Sequence, residues 1–206
     1  MWNLVLRKSF ATIEQIVTCL ENPIRMRILS TNIPEVLTIE PAIYADARGF
    51  FLETYHERKF AELGLNSHFV QDNQSHSIKG VLRGLHYQIE HPQGKLVRVL
   101  QGEIFDVAVD IRIGSATFGK WVGLLLSSRE QRMLWIPPGF AHGFYTCSEV
   151  ADVSYKVTDF YAPAAERTLV WNDPEVDVAW PLNGEPILSD KDRAGHSLRD
   201  LLQIKH

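Results

Sequence analysis

From residue 26 onward the chain sets one short β-like segment after another, with so little sequence between them that no crossover helix fits, and this spacing restricts the fold more than any other feature. MRIL, VLTIEP and the Gly49-Phe-Phe-Leu-Glu-Thr stretch come first, then HFVQDN, GVLRGLHYQ, GKLVRVLQG, EIFDVAVDIR, GKWVGLLLS, RMLWIP, HGFYTC and ADVSYKVTDFY. Parallel strands need a connection of a dozen or more residues. Doubly wound sheets and helix-ringed barrels are therefore disfavoured, and antiparallel sheets closed as a barrel or jelly roll remain. The expectation is an all-β domain over residues 26–206. A brief helix over Glu57 to Leu63 ends at Gly64, and a short C-terminal helix is capped by Ser197 with Asp200 at its third position.

Residues 1–25 lack the basic start, long apolar core and small-residue cleavage site of a signal peptide, and read as an extension with a packed helix around Ile13 to Leu20 as the alternative. After Tyr161 the chain turns rich in Pro, Asp and Trp, which reads as irregular wrapping. No apolar run reaches the ~20 residues of a bilayer crossing. With 21 Lys and Arg against 25 Asp and Glu there is no basic run to follow a phosphodiester backbone, which disfavours nucleic acid as partner. Two cysteines, Cys19 and Cys147, cannot make a disulfide framework, so a reducing, cytoplasmic location is expected with both thiols inert.

Side-chain alternation in EIFDVAVDIR puts Phe105, Val107 and Val109 on one face and Asp106, Ala108 and Asp110 on the other, a strand with unlike sides. In GVLRGLHYQ, His86 follows apolar residues and is expected to be partly enclosed, whereas His76 and His91 read as surface residues. Strict alternation separates Arg83 from His86. Both can line one cavity only if the strand bulges, and Gly84 is where it can. His142 follows a turn at Pro138-Gly139, and Tyr155 shares an apolar face with Val153 and Val157. Pattern alone leaves catalysis and simple packing both open for His86, His142 and Tyr155.

Cofactor signals are poor. No H-x-H occurs, so the usual metal set of a small β-barrel is missing, and there is no phosphate-binding glycine loop and no G-x-S-x-G elbow. Imidazole, phenol, lysine and carboxylates remain, which suit proton transfer without cofactor or metal.

Long motifs in one order then carry a resemblance: DARGFFLETY, FVQDNQSHS, GVLRGLHYQ, QGKLVRVLQGEIFDVAVDIR, TFGKWVG, LWIPPGFAHGF, YKVTDFYAP, WNDPEVDVAWP and LSDKD, from Met26 to the C-terminus. The sequence is similar to the dTDP-4-dehydrorhamnose 3,5-epimerase family. The resemblance implies a double-stranded β-helix, or jelly roll, of the cupin type that holds no metal, working as a homodimer whose N-terminal arm crosses to the neighbour. It implies inversion of C3 and C5 of dTDP-4-dehydro-6-deoxy-D-glucose, ahead of a separate NADPH-dependent reductase in dTDP-L-rhamnose biosynthesis. His86 corresponds to the base, Asp192 to the carboxylate orienting it, and Tyr155 to the acid on the opposite sugar face. Lys95, with His142 nearby, matches the group that holds the developing oxyanion. Arg48 and Arg83 match diphosphate contacts, and Gln71, Asn73 and Glu166 polar positions around substrate. Tyr44 and Glu53 match arm contacts to the base across the dimer, and Tyr161 an aromatic position of the pocket.

Two positions depart from the family pattern. Ala116 stands where proline is usual, and Phe160 replaces the first tyrosine of a Tyr-Tyr pair. The same residues also fit an epimerase of one carbon only, or a cupin that binds a nucleotide-sugar without turnover.

Overall fold

The computed structural model describes residues 26–203, so the extension over 1–25, Cys19 included, lies outside the described residues. The chain runs through β1 (Arg27–Ser30), β2 (Leu37–Glu40), β3 (Ile43–Asp46), β4 (Gly49–Leu52), α1 (Glu57–Glu62), β5 (Gln71–Ile78), β6 (Leu82–Gln88) and β7 (Lys95–Gln101). It continues through β8 (Glu103–Asp110), β9 (Trp121–Ser127), β10 (Met133–Ile136), β11 (Phe140–Thr146), β12 (Val150–Val157), β13 (Glu166–Thr168), α2 (Asp190–Arg193) and α3 (Leu198–Leu201).

Two sheets face each other. One has the order β1-β2-β10-β7-β12-β5 and the other β13-β6-β11-β8-β9, and β3 and β4 form a separate hairpin. Pairings between these strands are all antiparallel. From β5 to β8 each successive strand lies in the opposite sheet, and β10 to β13 do the same, so the chain winds as the expected cupin-type jelly roll. The turn at Pro138-Gly139, with Gly139 at φ +87°, carries the chain from β10 in one sheet to β11 in the other.

The apolar side chains of facing strands fill the space between the sheets. Val97, Val99, Leu134, Ile136 and Val153 meet Ile104, Ala108, Phe140 and Phe144 there. Leu134 is fully enclosed. Truncating such a side chain to Ala costs about 2–5 kcal/mol, because the lost burial is compounded by an unfilled cavity. Both sheets are also covered outside. Phe60 of α1, with Leu65, packs on Ile39, Leu96, Met133 and Trp135, and the C-terminal wrap lays Val176, Leu198 and Leu201 on Leu85, Val107, Val109 and Ala141.

That wrap alters the reading of β8. Its sides are unlike, as the alternation indicates, yet neither meets water: Val107 and Val109 lie under the wrap, while Asp106 and Ala108 point into the interior and are completely buried. The helix expected over Glu57 to Leu63 forms, with Gly64 at φ +86° beyond its end. At α3 Ser197 and Asp200 close a reciprocal capping box. His76 and His91 sit at the exposed surface beside Asp152 and Asp159.

Candidate active site

Between the two sheets, toward one end of the roll, lies a cavity of about 360 Å³ lined by polar and aromatic side chains from both. β6 builds one wall. From His142 to Phe144 on β11 is two residues, but their partners on β6, His86 and Arg83, are three apart, so β6 carries one extra residue there. This bulge turns Arg83 and His86 to the same side, which strict alternation forbids, and both line the cavity. Gly84, at φ +115°, makes it possible. A Cβ there would fall 2.6 Å from the Gly143 Cα, so no other residue fits the close approach of β6 and β11.

His86 Nε2 lies 2.5 Å from Asp192 Oδ1. A carboxylate only accepts, so the proton is on Nε2 and the lone pair of the neutral ring is on Nδ1. Asp192 is well held. Its Oδ1 also faces the Gly84 N–H at 3.4 Å, and its Oδ2 accepts from the Ser189 hydroxyl, the N-cap of α2, at 2.7 Å. Burial pushes the Asp192 carboxyl up, but the bonds from His86 and Ser189 outweigh it and hold it below the ordinary carboxylate range.

A second imidazole stands beside the first, since His142 is the cross-strand partner of His86. Its Nε2 donates to Asp106 Oδ1 at 2.6 Å. Burial lowers the His142 pKa ahead of the opposing effect of Asp106, so this ring is neutral and its Nδ1 is an acceptor. A ring so held presents its Nδ1 lone pair, rather than an N–H, to its surroundings. Lys95, enclosed at the start of β7, has its pKa lowered to about 8 by burial, with Asp106 and Glu166 opposing the shift. Its Nζ reaches the His86 carbonyl at 3.4 Å and has no carboxylate at ion-pair distance among the described residues.

Tyr155 faces these groups from β12 in the other sheet, packed against the interior cluster. Burial raises its pKa, keeping the phenol protonated at neutral pH. Arg83 donates to Ser77 Oγ (2.9 Å) and the His76 carbonyl (3.1 Å), neither of them charged, so its guanidinium charge is uncompensated by those partners. At the rim Glu166 accepts from Tyr161 Oη and Lys191 Nζ, each at 2.9 Å. Gln71 bonds the Asn73 side chain and the Tyr161 backbone N–H.

Of the residues singled out from sequence, His86, Tyr155, Lys95, His142, Arg83, Gln71, Asn73, Tyr161 and Glu166 line this one cavity, with Asp192 directly behind His86. Tyr44, Arg48 and Glu53 do not. Tyr44 and Arg48 lie on the exposed β3–β4 hairpin, where Arg48 pairs with Asp46 at 2.6 Å, and Glu53 pairs with Lys59 at 2.8 Å. Within one chain Arg48 and Arg83 therefore do not share a site. Ser75, Gln88, Gln93, Phe144 and Lys191 also line the cavity and were not singled out. The alternation Gln71, Asn73, Ser75 along β5 and the position of Lys191 beside Asp192 were the available signals.

A sequence model of the family described as dTDP-4-dehydrorhamnose 3,5-epimerase matches residues 30–200. The chain belongs to this family. It is 56% identical over 176 residues to the dTDP-4-dehydrorhamnose 3,5-epimerase of Pseudomonas aeruginosa, covering 85% of this chain and 97% of that one. Among solved structures, it is similar to the dTDP-6-deoxy-D-glucose-3,5-epimerase RmlC of Legionella pneumophila in complex with dTDP-4-keto-L-rhamnose. That match has a TM-score of 0.84 and 54% identity, covering 85% of this chain and 94% of the other. A more distant likeness is to ChmJ of Streptomyces bikiniensis, a 3'-monoepimerase in complex with dTDP-quinovose. There the TM-score is 0.80 and the identity 31%, over 85% of this chain and 89% of ChmJ. Membership fixes the jelly roll as the family's cupin-type fold. No helix among the described residues is long and apolar enough to cross a membrane.

Proposed function

We propose that the protein inverts C3 and C5 of dTDP-4-dehydro-6-deoxy-D-glucose to give dTDP-4-dehydro-β-L-rhamnose, using only its own side chains. The observation that carries this reading is the placing of an imidazole with a free Nδ1 on one sheet and a protonated phenol on the other, facing one cavity. Inversion needs a base on one side of the carbon and an acid on the other.

The C4 ketone acidifies the C–H bonds at C3 and C5. His86 Nδ1 takes the proton, and the C–H electron pair forms the carbon–carbon double bond of an enolate while the carbonyl π pair moves onto O4. Asp192 stabilises the resulting imidazolium and holds its ring in place. The Lys95 ammonium, buried where the effective dielectric is low, faces the new charge on O4. Tyr155 then delivers its proton to the opposite face, and solvent restores both groups before the second carbon reacts. Arg83 serves the diphosphate, for which a guanidinium without an ionic partner among the described residues is suited, and Tyr161 offers an aromatic wall at the rim.

In this reading residues 26–206 are one domain of a cytoplasmic homodimer. The β3–β4 hairpin exposes Tyr44 at 53% and Phe51 at 69%, more apolar surface than a hairpin holds in water without a partner. Seated on a second copy, it brings Tyr44, Arg48 and Glu53 to that copy's cavity. A single species of monomer mass by light scattering would remove this part of the reading.

Incubating the protein with dTDP-4-dehydro-6-deoxy-D-glucose, a downstream reductase and NADPH tests the reaction: dTDP-L-rhamnose is the expected product. The likeness to a 3'-monoepimerase supplies the second reading, inversion of one carbon. A product inverted at a single carbon would select it, and no turnover would leave a nucleotide-sugar-binding protein.

A further inference from the structure

The proposed proton transfers leave one interior charge without a task. Asp106 projects from β8 into the space between the sheets with no accessible surface. One carboxylate oxygen holds His142, and the other, Oδ2, has no hydrogen-bond partner among the described residues. A buried carboxylate with one oxygen unpaired is costly, and a packed core gains nothing from it. Groups around it are themselves unfinished. Lys95 from β7 has a single long bond to a carbonyl, and His142 from β11 has an unprotonated Nδ1.

We propose that Asp106 is a positioning residue of the epimerisation proposed above, on which this inference rests: it fixes His142 as the Nε2–H tautomer and supplies the interior negative charge that balances Lys95. Oδ2 carries that balance at a distance. A direct ion pair would draw the ammonium away from O4, whereas a charge behind the imidazole keeps it ionised and free to meet the enolate. His142 in turn presents an acceptor, which suits a sugar hydroxyl or a Lys95 N–H and excludes it as an oxyanion donor. The charged and titratable groups facing Lys95 are Asp106 of β8, His142 of β11, Glu166 of β13 and Lys191 of α2, and those facing His142 are Asp106, Lys95 and His86. Among these groups only Asp106 acts on both from inside the roll.

Asp106→Asn in the full chain removes the charge and lets the amide turn either its oxygen or its N–H to His142, so it tests the charge balance and the tautomer together. Expected are a kcat lower by roughly tenfold or more, an almost unchanged KM, and an alkaline limb of kcat shifted toward acid by about one pH unit, because Lys95 loses a nearby negative charge. A folded variant with wild-type kcat and an unmoved limb overturns the proposal. Nitrogen NMR of wild-type protein labelled at histidine, with His142 assigned by its loss in His142→Gln, decides the matter even where the variant does not fold. Nε2 protonated and Nδ1 unprotonated from about pH 6 to 8 is expected. A proton on Nδ1, or an imidazolium forming in that range, contradicts the tautomer lock. Absence of epimerase activity in wild type would remove the reaction reading and leave this NMR result standing by itself.

Discussion

Two imidazole–carboxylate pairs of nearly equal length stand side by side on β6 and β11 in the interior, and they differ in what surrounds them. In the His86–Asp192 pair, at 2.5 Å, the histidine side chain is 25% exposed and lines the cavity, and its carboxylate comes from the C-terminal wrap. In the His142–Asp106 pair, at 2.6 Å, the histidine is 7% exposed and its carboxylate comes from the next strand of the same sheet. A base must give back each proton it takes, so the pair with the more exposed histidine is the better suited to turn over. The enclosed pair cannot accept charge cheaply and is suited to a fixed arrangement of dipoles. Solvent access, rather than the dyad itself, distinguishes the two pairs.

Substitutions at each pair sharpen this contrast. Asp192→Asn should lower kcat by about a hundredfold, since an amide can turn its N–H toward His86 and stabilise the wrong tautomer. A steady-state assay with coupled reductase reads this directly, and a loss no larger than that of the enclosed pair would collapse the distinction. His142→Gln keeps an acceptor near the same place and should cost about tenfold in kcat, read in the same coupled assay.

Lys95 adds a pH signature. In the proposed reaction its ammonium is the form that holds the enolate, and its pKa lies near 8, so activity should be full at neutral pH and fall as pH rises through about 8. Lys95→Arg, whose charge persists at all accessible pH values, should remove that limb even where it lowers the plateau. The smallest effect is expected at Phe160→Tyr, within about threefold in kcat/KM. The Phe160 ring is 64% exposed and does not line the cavity, so restoring a hydroxyl there touches nothing the reaction uses.

Much of this was legible in the sequence, and what was not has identifiable causes. Apolar runs marked β7 to β12 because those strands bury side chains on at least one face. β5 was seen only over its first residues. Its inward side chains Gln71, Asn73 and Ser75 are polar because they line the cavity, which removes the hydrophobic period that reveals a strand. β13 escaped notice as three residues, and β3 as half of a hairpin with no buried face. Gly84 indicated that a bulge was permitted, while its existence depends on the approach of Gly143, more than fifty residues away. Asp106 was legible as a polar residue inside the apolar run Ile104 to Val109. Its partner was not, because strand register decides which side chains meet, and alternation within one strand carries no information about its neighbour.

The central claim is that His86 takes the protons, and hydrogen–deuterium exchange tests it most directly. Wild type and His86→Asn, each checked for a cooperative thermal transition, would be incubated in D2O with dTDP-4-dehydro-6-deoxy-D-glucose and followed by proton NMR at C3 and C5. The account predicts deuterium at both carbons with wild type and at neither with the folded variant, whose rate should fall by about a thousandfold. Exchange at wild-type rate in His86→Asn would contradict it and transfer the role of base to another group in the cavity.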